Sequence, residues 1–213
     1  MLSPDLYLPY FDEVCARYAR EGNPLFIPET RAGAAGAANA LLAFGKYNAI
    51  GFSPFYIDRI AGNDADLASA YNLLAQLSPL ILEHQGKGTM TAIQVTQDNS
   101  PQDVQLGDYT AHVAFASGHF GPATAQQPGG PGAAILIATG PNEFYVAGSS
   151  LSMTFTPNTP GPPLAGLATV EEGRFVDGRW TPGRLLAGDD TGQGERIQLR
   201  TDSILRVTLY RYR

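Results

Sequence analysis

The feature that most constrains the fold of this chain is a change of periodicity at Gly86-Lys87-Gly88. Before it, helical and strand patterns alternate. Leu6, Tyr7, Tyr10, Phe11, Val14, Cys15 and Tyr18 recur at three- and four-residue steps, which predicts one apolar stripe on a helix. Ser3 or Asp5 is placed to cap that helix and Gly22 to end it. Pro24-Leu25-Phe26-Ile27-Pro28 is a short, continuous apolar run, the pattern of a strand buried on both faces. A second helix is predicted over Ala34 to Phe44, a second strand within Asn48 to Ser53, and a third helix through Leu67, Tyr71, Leu74, Leu77 and Ile81, bent at Pro79. Helix–strand–helix–strand–helix is the order of a parallel α/β fold.

After Gly88 the pattern is that of short strands. Thr91 to Thr96, Tyr109 to Phe115, Ala134 to Ala138, Phe144 to Ala147, Leu151 to Phe155, Leu167 to Val170, Ile197 to Leu199 and Ile204 to Tyr210 read as strands. Turn clusters such as Pro128-Gly129-Gly130-Pro131-Gly132 and Pro160-Gly161-Pro162-Pro163 separate several of them. The expectation is an α/β segment over residues 1–86 and an antiparallel β-sandwich or jelly roll over 87–213.

Composition narrows the chemistry. A chain of 213 residues with 44% hydrophobic and 16% charged residues can bury a substantial core. Its net charge of −6, with no basic run, argues against a nucleic-acid surface, whose affinity comes from clustered cations. No stretch approaches the ~20 apolar residues of a membrane span, and the start, Met1-Leu2-Ser3-Pro4-Asp5, does not read as a signal peptide. The single Cys15 allows neither an internal disulfide nor a cysteine-based metal site, and His84, His112 and His119 are too scattered for a metal-ligand spacing. Neither a metal nor a cofactor is expected. Gly129-Gly130-Pro131-Gly132 lacks the Lys-Ser/Thr of a phosphate cradle. The compartment is left open.

In α/β folds, reactive groups collect where strands run into the following loop. The first apolar run ends in Pro28-Glu29-Thr30-Arg31, which places a carboxylate at the mouth of the sheet with an arginine two residues on. The competing explanation makes Glu29 a helix-start residue favoured by the helix dipole, with Thr30 as cap.

Asn23-Pro24-Leu25-Phe26-Ile27-Pro28-Glu29-Thr30 resembles the seventh strand of the (β/α)8 barrel in family 35 glycoside hydrolases, and Asn48 to Asp58 resembles the eighth strand and its loop. Glu143-Phe144-Tyr145-Val146-Ala147-Gly148, followed by Thr169-Val170-Glu171-Glu172-Gly173-Arg174-Phe175-Val176-Asp177-Gly178, is similar to the C-terminal β-domain of bacterial members. The resemblance implies the last two βα units of a TIM barrel followed by a β-sandwich, in a β-galactosidase-like enzyme acting on a carbohydrate. It implies retaining double displacement, with Glu29 as nucleophile and a second carboxyl group ~5–5.5 Å away as acid/base. That acid/base belongs to the fourth strand, in an Asn-Glu pair, and the sequence begins after it. Asn142-Glu143 falls between β-domain strands and reads as a turn. Under the same resemblance, Arg31, Phe55, Tyr56 and Asp58 wall the sugar site: aromatic faces suit a pyranose C–H face, and Asp58 can accept from hydroxyls. The alternative for Phe55 and Tyr56 is packing under the rim. Ser53-Pro54-Phe55-Tyr56 departs from the Gly-Gly-Thr-Asn-type loop of many members, so the sugar is not specified. Trp180, in Asp177-Gly178-Arg179-Trp180-Thr181-Pro182, is expected in a polar turn, packing against the sandwich rather than stacking on a sugar.

Two barrel strands out of eight leave two free edges. The first strand is expected to lack its sixth-strand neighbour, so residues 1–86 should be stable only by packing on the β-domain, by self-association, or by meeting a chain that supplies the rest. No turnover of aryl β-galactosides is expected from this chain alone. A non-catalytic carbohydrate-binding or scaffolding module is the competing function.

Overall fold

A computed structural model describes residues 1–60, 64–116 and 130–213. Strand β1 (Asp5–Leu6) leads into helix α1 (Phe11–Tyr18), β2 (Phe26–Thr30), α2 (Gly33–Tyr47), β3 (Gly51–Pro54), the single turn α3 (Ile57–Ile60) and α4 (Ala65–His84). Strands β1, β2 and β3 form a parallel sheet in that order. The remaining strands are antiparallel: β4 (Met90–Val95), β5 (Gln102–Leu106), β6 (Tyr109–Phe115), β7 (Gly132–Gly140), β8 (Glu143–Ser149), β9 (Leu151–Pro157), β10 (Leu164–Val176), β11 (Arg179–Leu186), β12 (Ile197–Leu199) and β13 (Ser203–Tyr212). They make a six-stranded sheet, β11-β10-β13-β8-β7-β4, and a four-stranded sheet, β12-β9-β6-β5. The fold is thus mixed α and β, with mainly antiparallel sheets arranged as a sandwich.

Alternation along the central strands explains the layering. In β7, Ile135 and Ile137 join a core shared with the helices, while Ala134 and Leu136 join the core between the two antiparallel sheets. In β8, Tyr145 and Ala147 face the first core, and Phe144 and Val146 the second. Successive side chains of a strand point to opposite faces, so these strands are buried on both sides and read as continuous apolar runs. The first core also holds Leu6, Ile27 and Phe52 of the parallel sheet and Leu41, Leu42, Leu73 and Leu77 of α2 and α4. Helix α2 packs on β3 and also on β4 and β7. The N-terminal segment therefore uses the first of the three expected routes, packing on the β-sandwich through a common core.

Polar contacts fix the helices. Asp64 caps α4 by accepting from Leu67 N at 3.0 Å, and its second oxygen accepts from Gly33 N at the start of α2 at 2.6 Å, so one carboxylate serves two helix N-termini. Asp12 of α1 takes Lys46 at 2.9 Å and the Tyr47 hydroxyl at 2.6 Å, tying α1 to α2. Pro79 lies inside α4. It cannot donate to Ala75 O, and the Ser78 hydroxyl donates there instead at 2.9 Å.

Three expectations need correction. The helix expected from Leu6 begins only at Phe11, because Asp5 and Leu6 pair in parallel with Glu29 and Thr30. The same pairing gives β2 a neighbour on the edge expected to be bare. Trp180 is not in a turn: Asp177 and Gly178, with φ of 50° and 73°, make a two-residue hairpin, and Trp180 follows on β11 opposite Phe175. Its ring meets Tyr145 and Phe175 at centroid distances of 5.2 and 5.4 Å. Gly173 permits this, since a Cβ there would meet the indole at 2.7 Å and Thr181 O at 2.5 Å. The expected packing role holds, against the helix side of the sandwich: Phe175 N donates to Gln76 Oε1 of α4 at 3.1 Å.

Candidate active site

Glu29 lies within β2, not after it, at the C-terminal end of the parallel sheet. The cap explanation for its neighbour fails. The N-cap of α2 is Ala32, and the Thr30 hydroxyl is buried and donates to Leu6 O at 2.7 Å, clamping β1 to β2. Glu29 itself is half-buried and accepts from the Tyr7 hydroxyl at 2.8 Å. Desolvation, together with the hydrogen bond to Glu29 and its charge, pushes the Tyr7 phenol up to about 12. Tyr7 therefore remains a donor through the neutral range and holds one oxygen of the Glu29 carboxylate. Tyr7 continues the helical stripe in the sequence; it reaches Glu29 because it directly follows β1, whose Asp5 and Leu6 pair with Glu29 and Thr30.

Arg31 is exposed and its Nη2 donates to the Tyr7 carbonyl oxygen, bracing the turn that carries the phenol. At the neighbouring strand end, Phe55 N donates to Thr30 O at 2.8 Å. Phe55 and Tyr56 are 46% and 51% exposed with ring centroids 4.0 Å apart, so they do not pack beneath the sheet. Tyr56 has a φ of 56°, a left-handed geometry that is sterically costly without a compensating role. Asp58 is exposed in the first turn of α3. One end of the parallel sheet thus carries Tyr7, Glu29, Arg31, Phe55 and Tyr56, with Asp58 close in sequence.

The other candidates are structural. Asn142 lies in the β7–β8 turn and accepts from the Tyr109 hydroxyl at 2.6 Å. Glu143 pairs with Arg206 at 2.6 Å and accepts from Thr139 at 2.9 Å. Burial raises the Glu143 carboxyl, but the hydrogen bonds from Arg206 and Thr139 outweigh it and the net shift is downward. His84 contacts Thr89 at 2.7 Å, and His112 sits between Asp103 and Thr156 at 2.8 Å each, a cross-strand pairing on the four-stranded sheet. His119 and Gly129 lie outside the described residues. Among the described residues, no group of three or more His, Cys, Asp or Glu is placed to hold a metal, and no helix is long and apolar enough to cross a membrane.

No curated protein matches the chain. A family profile matches residues 67–198, which runs from the start of α4 through β12 and covers well over half of the sequence. That span holds most of the β-sandwich together with the helix packed on it, as in a C-terminal β-domain of a larger protein. The chain belongs to the family described as a domain of unknown function, DUF5597.

Proposed function

We propose that this chain is the C-terminal portion of a retaining, β-galactosidase-like glycoside hydrolase resembling family 35, with Glu29 in the nucleophile position. The observation that carries the reading is the Tyr7–Glu29 hydrogen bond across the C-terminal ends of two adjacent parallel strands. Covalent glycoside chemistry needs a carboxylate held in a fixed orientation, and a phenol that stays protonated supplies that without removing the negative charge. In this reading β2 and β3 are the seventh and eighth barrel strands and β1 stands in the place of the sixth. Phe55, Tyr56 and Asp58 wall the sugar and Arg31 supports the Tyr7 turn. The acid/base comes from the fourth strand, outside this chain.

The free side of β3 supports an incomplete barrel. Among the described residues it pairs with β2 alone. Beside it runs an apolar groove of about 420 Å³ lined by Ile50, Tyr71, Leu74, Ile81 and Leu82, with Ile50 59% and Leu82 73% exposed. A parallel strand and its helix would cover both features. That geometry supports completion by the remaining βα units, or self-association through the same edge.

Genomic sequencing upstream of the Met1 codon tests the proposal. The expected result is a continuous or frameshifted frame encoding six βα units with an Asn-Glu pair at the end of the fourth. An unrelated gene or non-coding DNA there would overturn it. The family match begins at residue 67, beyond Glu29, and this favours one competitor: a non-catalytic carbohydrate-binding or scaffolding module centred on the β-sandwich. Calorimetry with galactosides separates the two, because a module should bind equally well when Tyr7, Glu29 and Phe55 are replaced together.

A further inference from the structure

A groove of about 510 Å³ lies between the helices and the edge of the β-sandwich, within the roughly 300–1,000 Å³ of small-molecule sites. Glu29 does not line it, although Arg31 and Tyr10 do. Its wall is built from three parts of the fold: Asn39 of α2, Gln94 of β4 and Gln102 of β5, with Asn99 from the turn between those strands. Hydrogen bonds hold these amides in place, one of them to a backbone carbonyl. Gln102 Nε2 donates to Gln94 O at 3.0 Å, and Gln94 Nε2 donates to Asn39 Oδ1 at 3.3 Å. Asn39 is 8% exposed, a polar side chain held inside an otherwise alanine- and leucine-rich helix. Asn99 is fixed by its own turn, accepting from Thr96 N at 2.5 Å.

We infer that this groove binds a neutral, hydroxyl-rich ligand of one or two rings, a saccharide. An amide offers a donor pair and an acceptor on one plane, which matches the alternating donor and acceptor character of vicinal hydroxyls. Charge in the groove is largely compensated. Arg31 and Lys46 face Asp12, Glu13 and Asp103, with Lys46 paired to Asp12, so among the described residues no excess of cations is present to select an anion. Tyr10, 58% exposed at the mouth, offers an aromatic face to the C–H side of a ring. Preorganised amides lose little freedom on binding, so such a site gains affinity where a set of mobile surface amides would not.

Calling the ligand a saccharide rests on the glycosidase reading of Glu29; the preference for a neutral polyol does not. The test is an NMR titration of the isotope-labelled full chain with lactose and cellobiose, and with galacturonate as the anionic probe. Saturable shifts are expected at the side-chain amides of Gln94 and Gln102 with both disaccharides. Gln102→Ala and Tyr10→Ala should each weaken binding, by up to roughly tenfold for a lost hydrogen bond, while Glu29→Gln leaves it unchanged. Both substituted side chains are at least partly exposed, so the variants keep the fold. Absence of saturable shifts, shifts unaffected by Gln102→Ala, or tighter and salt-sensitive binding of galacturonate would each overturn the inference. Shifts confined to Tyr7 and Glu29 would overturn it and leave the glycosidase reading standing. Groove shifts that persist when Glu29 proves chemically inert would sink that reading and leave the groove.

Discussion

Replacing Gly45 by alanine should destabilise the protein, although the same change in an ordinary helix stabilises it. Gly45 is buried in α2 at the point where the helix meets the six-stranded sheet. A Cβ there would lie 2.7 Å from Ala92 Cβ, 2.9 Å from Ile135 Cγ1 and 3.1 Å from Thr91 O. Carbon atoms pack at about 3.5–4.0 Å, so helix and strand must separate by about 1 Å. The alanine gains about 1 kcal/mol of helix propensity. Overpacking a fixed interface costs about 1–3 kcal/mol, and because two of the three contacts are a strand Cβ and a backbone oxygen, which cannot rotate away, the upper half of that range applies. The net expectation is a loss of about 1–2 kcal/mol, or about 2–8 °C in Tm for a chain of this size. Ala92→Gly removes the nearest obstacle, so the double variant should be no less stable than Ala92→Gly alone, and the cycle should be strongly non-additive. Urea unfolding followed by far-UV circular dichroism and by fluorescence of Trp180, the one tryptophan of the chain, measures both. Because Trp180 sits against the helix side of the sandwich, the two signals should coincide. Stabilisation by Gly45→Ala, or simple additivity, would refute the shared helix–sheet core.

Three further outcomes follow from individual contacts. Asp64→Ala removes one helix cap, worth about 1 kcal/mol, and a charge-assisted bond to Gly33, worth about 1.5 kcal/mol; thermal melts should show both losses, with Asp64→Asn recovering about half. Burial, reinforced by Asp12 and only partly offset by Lys46, pushes the Cys15 thiol up to about 12, so iodoacetamide at pH 8 should leave the native chain unmodified and alkylate it fully in urea. Glu143 has a lowered carboxyl pKa, so its stabilisation is present above the ordinary glutamate value and is lost as pH falls through the folded one. Glu143→Gln should therefore cost stability at pH 7 and nothing at pH 2. The loss should stay under about 1 kcal/mol because both partners of the ion pair are about a third exposed and solvent screens them.

The sequence was most informative where burial was two-sided or the period unbroken. β6 and β12 lie within the ranges their alternation implies, and α2 and α4 extend theirs by a few residues. It was least informative where tertiary pairing overrode local pattern. Asp5-Leu6 looks like the start of a helix because Leu6 and Tyr7 continue the α1 stripe, yet two backbone pairings to Glu29 and Thr30 make it a strand. β5 and β11 were missed for a related reason: Gln102–Leu106 and Arg179–Leu186 are edge strands with mostly exposed or half-exposed residues, so no apolar run marks them. At the candidate site, the placement of Glu29 at the end of the first apolar run was legible, although its proposed role rests on the resemblance. Tyr7 and the Asn39–Gln94–Gln102 chain were not, because each joins residues from separate elements with no fixed spacing.

Under the proposed function, the most direct test of Glu29 is a reaction that needs no acid/base. In 2,4-dinitrophenyl 2-deoxy-2-fluoro-β-galactoside the leaving group departs as a stable anion without protonation, and the fluorine slows hydrolysis of the ester that forms. Attack of a Glu29 oxygen on the anomeric carbon would break the bond to dinitrophenolate and leave a fluorosugar esterified to the Glu29 carboxylate. Peptide mapping by mass spectrometry after incubation at millimolar reagent should find one sugar per chain, on Glu29 alone, formed more slowly in Tyr7→Phe and absent in Glu29→Gln. An unlabelled chain, or sugar distributed over other carboxylates, would contradict the assignment of Glu29 as the nucleophile.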